Sequence, residues 1–221
     1  MSAVLAPLEN SLLVAAVATA LVALVAIPLA FAMARWRVPG RTVLETLLTV
    51  PLVLPPTVVG YFILIAAGRR SGLGRWLAET FDGYTIVFNW HGAVIASATV
   101  AMPMLYMPAK AAFAGVDREL EDASRLLGAN LLQQFWHVSL PLARRGVYSG
   151  LLLAYARALG EFGATVMVLG DQERFRTLPI SIYTDYVAGD LGHATAAVAA
   201  LTAISFAIIL LYNRSPLDKR D

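Results

Sequence analysis

Between residues 12 and 212 the chain is divided into long apolar runs by short polar ones, and this spacing decides the fold class. A helix that crosses a bilayer needs about 20 predominantly apolar residues. Runs of that kind lie at roughly 12–34, 44–67, 92–113, 146–169 and 194–212. The third is the least regular, because Pro103 and Pro108 interrupt it. None alternates apolar with polar residues as a membrane barrel strand must, so helices are left to satisfy the backbone in lipid. The expectation is an all-α, polytopic membrane helical bundle with five transmembrane helices, a single domain over residues 1–221. Composition agrees: 14% of the residues are charged and 58% hydrophobic, whereas about a quarter of a soluble domain is charged. A net charge of +2 gives no case for nucleic-acid binding. The absence of cysteine excludes disulfides, zinc thiolates and cysteine nucleophiles. The opening MSAVLAPLENS lacks the positive charge that precedes a cleavable signal peptide.

Basic residues set the orientation, since they concentrate on the cytoplasmic side. With the N-terminus outside, the inner set is Arg35, Arg37, Arg41, Lys110, Arg118, Arg125, Arg144, Arg145, Arg214, Lys219 and Arg220. The outer set is the smaller one, Arg69, Arg70, Arg75, Arg174 and Arg176. The rule therefore favours N-out and C-in, with loops 68–91 and 170–193 outside. Five helices are few to enclose a solute path, and a symmetric dimer is the natural completion.

The second run contains PLVLPPTVVGY, with Pro51, Pro55, Pro56 and Gly60. Each proline removes a backbone donor and crowds the preceding turn. Such breaks persist in lipid where protein or water satisfies the freed carbonyls, as beside a translocation path. Prolines are also commoner in membrane helices generally. Three within six residues tip the balance toward a path, and Pro28 alone does not.

The polar stretch EDASRLLGANLLQQFWHVSLPLARR, residues 121–145, is unlike the rest. Apolar residues recur at Leu120, Ala123, Leu127 and Leu131, then at Leu132, Phe135 and Trp136, close to helical spacing. Gly128 permits a turn or the close approach of a partner backbone. Pro141 is expected to stop the second helix before the next span. The expectation over 118–141 is two short helices with a turn at Gly128-Ala129-Asn130: either a handle for a partner or an interfacial helix on lipid.

This stretch resembles the cytoplasmic coupling loop of ABC-importer permeases, whose pattern is E-A-A, three residues, G, nine residues, I-x-L-P. Asp122-Ala123-Ser124 stand for E-A-A, Gly128 for the glycine, Val138 for the isoleucine, and Leu140-Pro141 for L-P. Asp and Ser depart from the pattern while keeping charge sign and small size. PLVLPPTVVGY, GRRSGLG, FNWHGAV, LGEFGATVMV and RTLPISIYT are similar to the molybdate-transporter permease family, over about residues 50 to 187. That resemblance implies a multi-pass protein of a prokaryotic inner membrane, two copies of which form the pore. It also implies two cytoplasmic ATP-binding subunits, which carry ATP and Mg, and an outer molybdate-binding protein. The chain itself contains no G-x-x-x-x-G-K-[ST] to cradle ATP phosphates. On this reading it is no enzyme by itself and binds no cofactor. Tungstate, of nearly the same size and charge, would share the route.

The fourth run places Arg157 near its middle and Glu161 one turn later. Ionisable groups at that depth are costly unless paired or hydrated, and i,i+4 spacing puts these two on one face. Three roles compete: a structural lock, a gate or path lining, or direct anion binding. The last is disfavoured, because a carboxylate repels an anion and a path must release what it binds. The candidate path residues are Pro55, Pro56, Gly60, Arg157, Glu161, Phe162 and Thr165. Gly160 and Gly163 permit close helix contact. His91, His137 and His193 lack ligand spacing, which argues against a metal site. Trp76 and Trp90 suit a membrane interface. The outer arginines fit an acidic binding protein or plain solvation equally. Rival functions are the same machine carrying sulfate or another oxyanion, an ion-gradient transporter working through Arg157 and Glu161, and, least favoured, a membrane-embedded enzyme.

Overall fold

The computed structural model describes residues 2–36, 38–170 and 172–214. Arg37, Lys219 and Arg220, invoked above for orientation, lie outside the described residues. All regular structure among the described residues is helical. The helices are α1 (Ser2–Arg35), α2 (Arg41–Thr49), α3 (Pro56–Ala67), α4 (Gly72–Thr80), α5 (Trp90–Ala114), α6 (Arg118–Leu126), α7 (Leu131–Gln134), α8 (Leu140–Leu159), α9 (Gly163–Leu169), α10 (Leu178–Val187) and α11 (Leu191–Arg214). Short 3-10 turns cover Val50–Leu52 and Glu173–Phe175, and a π-helical turn covers Phe135–Ser139.

Three helices are long and apolar enough to cross a membrane unaided: α1, α5 and α11. Two bent pairs reach that standard only together. They are the 41–52 segment with α3, bent by 116°, and the 131–159 segment with α9, bent by 52°. The runs at 44–67 and 146–169 are therefore broken, not single straight helices. The first break follows from the prolines. A residue before proline is pushed out of the helical region, and Pro55, preceding Pro56, is extended at φ −53° and ψ 132°.

The third run corrects the doubt raised by its prolines, for α5 is continuous through Pro103 and Pro108. It is the centre of the bundle, with α1 and α8 packed along it. Tyr106, Phe113 and Leu105 of α5 are fully buried, as are Val14, Val22 and Met33 of α1. Small residues bring the helices close. Ala15, Ala18, Ala26 and Ala30 line the buried face of α1, and a Cβ on Gly150 of α8 would lie 2.8 Å from Leu105 Cδ1. Small residues at helix contacts are how membrane helices gain packing without a hydrophobic driving force. The N-terminal part of α1 ties down the segment before α10. Asn10 Nδ2 donates to the carbonyls of Arg174 and Arg176, both at 3.0 Å, and Ser11 Oγ accepts the Leu178 N–H at 2.7 Å.

Candidate functional site: the polar loop and the paired broken helices

The 118–141 segment forms two short helices turning at Gly128, as its pattern implies. Asp117 caps α6 by accepting the Glu119 N–H. Gly128 has φ +88°, a conformation costly for other residues. Asn130 caps α7 in a reciprocal capping box with Gln133.

One expectation for this segment is corrected: Pro141 does not stop the second helix. The helix passes from α7 through the π turn into α8, and Pro141 sits in the first turn of α8. In the π turn the Leu140 N–H bonds to the Phe135 carbonyl. That wider turn gives the proline ring room against the preceding carbonyls, so the chain bulges instead of breaking.

The apolar stripe faces outward, as either a partner handle or an interfacial helix requires. Leu120, Ala123, Leu127, Leu131, Leu132 and Trp136 are exposed, with Leu126 and Leu127 reaching 90% and 89% exposure. Only Phe135 of the stripe turns inward, edge-on to Phe31 at 5.1 Å between centroids. The inward face of the loop is polar. Glu121 is buried, and its carboxylate lies 2.9 Å from Arg35 Nε of α1. Ser139 Oγ donates to the same carboxylate at 2.6 Å, and Arg125 Nε donates to the buried Gln134 Oε1 at 2.9 Å. Sequence reasoning passed over Glu121, Ser139 and Gln134, and treated Arg35 only as an orientation signal. Helical spacing places Glu121 on the polar face with Arg118, Asp122 and Arg125, so local pattern gave no sign that it is buried.

The motif residues divide between surfaces. Ser124, Gly128 and Val138 line one open groove of about 380 Å³, together with Leu127, Ala129, Gln133 and His137. Asp122 and Ala123 are exposed, and Asp122 pairs with Arg125 at 3.1 Å. Leu140 packs against the core, whereas Pro141 is exposed.

Two of the candidate path residues, Pro56 and Gly60, lie where α3 meets α9. A Cβ on Gly60 would lie 2.7 Å from the Ala164 carbonyl oxygen and 2.8 Å from Met167 Cβ. A Cβ on Gly163 would lie 3.0 Å from Pro56 Cβ. Pro56 and Gly60 of α3 thus seat directly on α9, with Pro55 as the extended residue before them. Gly160 makes no such contact. A Cβ there would meet only the Ala156 carbonyl, at 3.7 Å.

Arg157 and Glu161 do pair, but not along one helix. Arg157 is in the last turn of α8 and Glu161 sits in the bend before α9. Arg157 Nη1 lies 2.7 Å from Glu161 Oε2, angled too poorly for a hydrogen bond. The other oxygen, Oε1, accepts the Ala164 N–H at 2.7 Å. Thr165 Oγ1 donates to the carbonyls of Glu161 and Phe162. These side chains satisfy backbone groups freed by the break, as broken membrane helices require. Phe162 packs on Tyr183 of α10, 5.4 Å between centroids. The histidines are dispersed: His91 stacks on Tyr84 and Trp90, His137 lies beside the Gln133 carbonyl, and His193 pairs with Asp190.

Two broken helices that meet closely at Gly60 and Gly163, in a bundle with several apolar helices long enough to cross a membrane, fit a membrane transport subunit. The chain belongs to the family of binding-protein-dependent transport system inner membrane components, whose model matches residues 26–215. It is 39% identical to a Bacillus subtilis (strain 168) permease named for molybdenum transport, over 94% of this chain and 92% of that one. It is 40% identical to the molybdenum transport system permease protein ModB of Escherichia coli (strain K12), over 82% of this chain and 79% of that one. Its fold is similar to a bacterial ABC transporter that imports the acidic polysaccharide alginate. That likeness has a TM-score of 0.72 at 16% identity and covers 95% of this chain and 77% of the other. The family comprises membrane components, not catalytic ones.

Proposed function

We propose that the chain is the permease half of an ABC importer that moves molybdate, and tungstate with it, into the cytoplasm. In this reading two copies of the chain form the pore, each crossing the inner membrane of a prokaryotic cell five times with its N-terminus outside. A separate ATP-binding subunit docks on each copy from the cytoplasm, and an outer binding protein delivers the oxyanion. ATP and Mg belong to that ATP-binding subunit.

The observation that carries the reading is the outward-facing leucine pair on the polar loop. Leu126 and Leu127 are almost fully exposed at the tip of a segment with a polar inner face. Exposed apolar residues on a rigid, capped turn support a protein partner more than solvent. Asp122, Ala123, Ser124, Gly128, Val138, Leu140 and Pro141 are assigned to that coupling. The molybdate assignment rests on the relatives' names, at 39% and 40% identity.

The bent pairs support five spans, since each pair qualifies only as one unit. The distribution of basic residues supports the orientation, with Arg35 at the end of α1 bonded to Glu121 of the loop. Pro55, Pro56, Gly60, Arg157, Glu161, Phe162 and Thr165 are assigned to the path or gate. There the Arg157–Glu161 pair and the α9 cap hold a break that can flex when the two halves of the importer move.

The test is uptake of labelled molybdate into proteoliposomes holding the chain, its ATP-binding subunit and its binding protein. Uptake that requires ATP and resists excess sulfate is expected. ATP-dependent uptake that yields to sulfate would reassign the cargo, and uptake indifferent to ATP would refute the machine.

A further inference from the structure

We infer that Glu121 is a positioning residue that passes movement of the loop to helix α1, through Arg35 and Ser139. The inference rests on the loop being the docking site proposed above.

Of the nine residues of α6, Glu121 alone is buried. Through the Glu121 carboxylate α6 is bonded to the end of α1. Arg35, the last residue of α1, grips it with Nε 2.9 Å from both oxygens. The same guanidinium donates from Nη2 to the Val116 carbonyl at 3.0 Å. Val116 lies just ahead of the α6 cap, so Arg35 holds both the entry to α6 and its body. Both side chains are withdrawn from solvent, at 5% and 3% exposure. Ser139 Oγ bonds to Glu121 Oε1 from the other side, at 2.6 Å. Ser139 belongs to the π turn, a kind of element that recurs at functional sites.

An apolar seat would hold α6 at least as firmly, since burying an ion pair removes two charges from water. What the pair adds is direction. A charge-assisted hydrogen bond has fixed geometry and resists both push and pull, whereas an apolar contact is non-directional and can slide. The second polar link of the loop, Arg125 to Gln134, joins α6 to α7 and stays within the loop. It stiffens the handle without reaching α1. From Arg35 onward α1 is a 34-residue helix packed along α5 and α8. A displacement at Glu121 therefore becomes a displacement of the bundle.

The test uses the full complex in proteoliposomes, with labelled molybdate uptake and ATP hydrolysis measured in the same vesicles. The variants are Glu121→Gln, Arg35→Lys and Ser139→Ala. Uptake per ATP hydrolysed is expected to fall at least about fivefold in Glu121→Gln, the low end of usual coupling energies, and by less in Ser139→Ala. A purely structural role would lower the yield of complex and leave that ratio alone. An unchanged ratio in Glu121→Gln overturns the inference. If that variant fails to assemble, Arg35→Lys and then Ser139→Ala decide by the same criterion. Failure of all three to assemble would make the cluster a folding element and overturn the inference too. The wild-type complex separates the two levels: ATP-independent uptake there removes the importer reading, whereas ATP-dependent uptake with unchanged variants removes only the role of Glu121.

Discussion

Gly128→Leu is expected to weaken docking of the ATP-binding subunit far more than Gly128→Ala. Gly128 has φ +88°, and a Cβ placed there meets nothing within 4 Å. Within the chain, both substitutions therefore carry the same backbone strain, roughly 1–2 kcal/mol for a left-handed residue that is not glycine. At the Cβ neither meets a steric obstacle inside the permease. The longer leucine diverges further where another surface covers the turn. A leucine forced into a packed contact costs about 1–3 kcal/mol more, which corresponds to roughly 5–150-fold in affinity. The assay is titration of the detergent-solubilised permease with the ATP-binding subunit, followed by uptake per ATP in vesicles. The account predicts a modest loss for Ala and a further loss for Leu. Equal behaviour of the two variants, or wild-type docking by both, would refute the placement of the partner over this turn.

Other outcomes follow from the broken helices. Glu161→Ala removes both the Arg157 pair and the α9 cap, so it should lower uptake and thermal stability more than Arg157→Ala. The double variant Arg157→Ala, Glu161→Ala should recover the part due to an uncompensated cation. Because Arg157 keeps 29% of its side chain accessible, that part is about 1–3 kcal/mol, between exposed and fully buried pairs. Melting of the purified permease measures it, and strictly additive losses would contradict the pairing. Gly60→Ala places a Cβ 2.7 Å from the Ala164 carbonyl oxygen, so α3 and α9 must separate. A loss of about 1–3 kcal/mol in stability is expected, with reduced uptake. Wild-type melting and transport would show that this contact is loose.

The all-helical fold was legible because lipid allows few solutions: a long apolar run must become helix. The break at Pro55-Pro56 was legible for the same local reason, since proline constrains its own residue and the one before it. Pro103 and Pro108 carried the same local warning, yet α5 runs on through both, packed between α1 and α8. Pro141 was overruled differently, by a π turn that absorbed it. The break at Glu161 is harder to read, because nothing in Gly160-Glu161-Phe162 forbids a helix. The carboxylate that caps α9 is recognisable only once the bend exists.

The loop shows the limit most clearly. Periodicity identified its apolar stripe but could not say what covers it. Leu127 proves to be exposed, and the inward residue is Glu121, whose partner Arg35 lies 86 positions earlier. A contact of that span leaves no trace in local spacing.

Whether an ATP-binding partner covers the tip of this loop can be tested with one thiol. The chain has no cysteine, so Leu127→Cys introduces a single reporter at a position 89% exposed. Its rate of modification by a membrane-impermeant maleimide would be measured with and without the ATP-binding subunit, beside Leu73→Cys on α4 as a control. The account predicts rapid labelling of Cys at 127 in the free permease, strong protection in the complex, and no change at 73. Equal labelling at 127 in the free and assembled permease would contradict it.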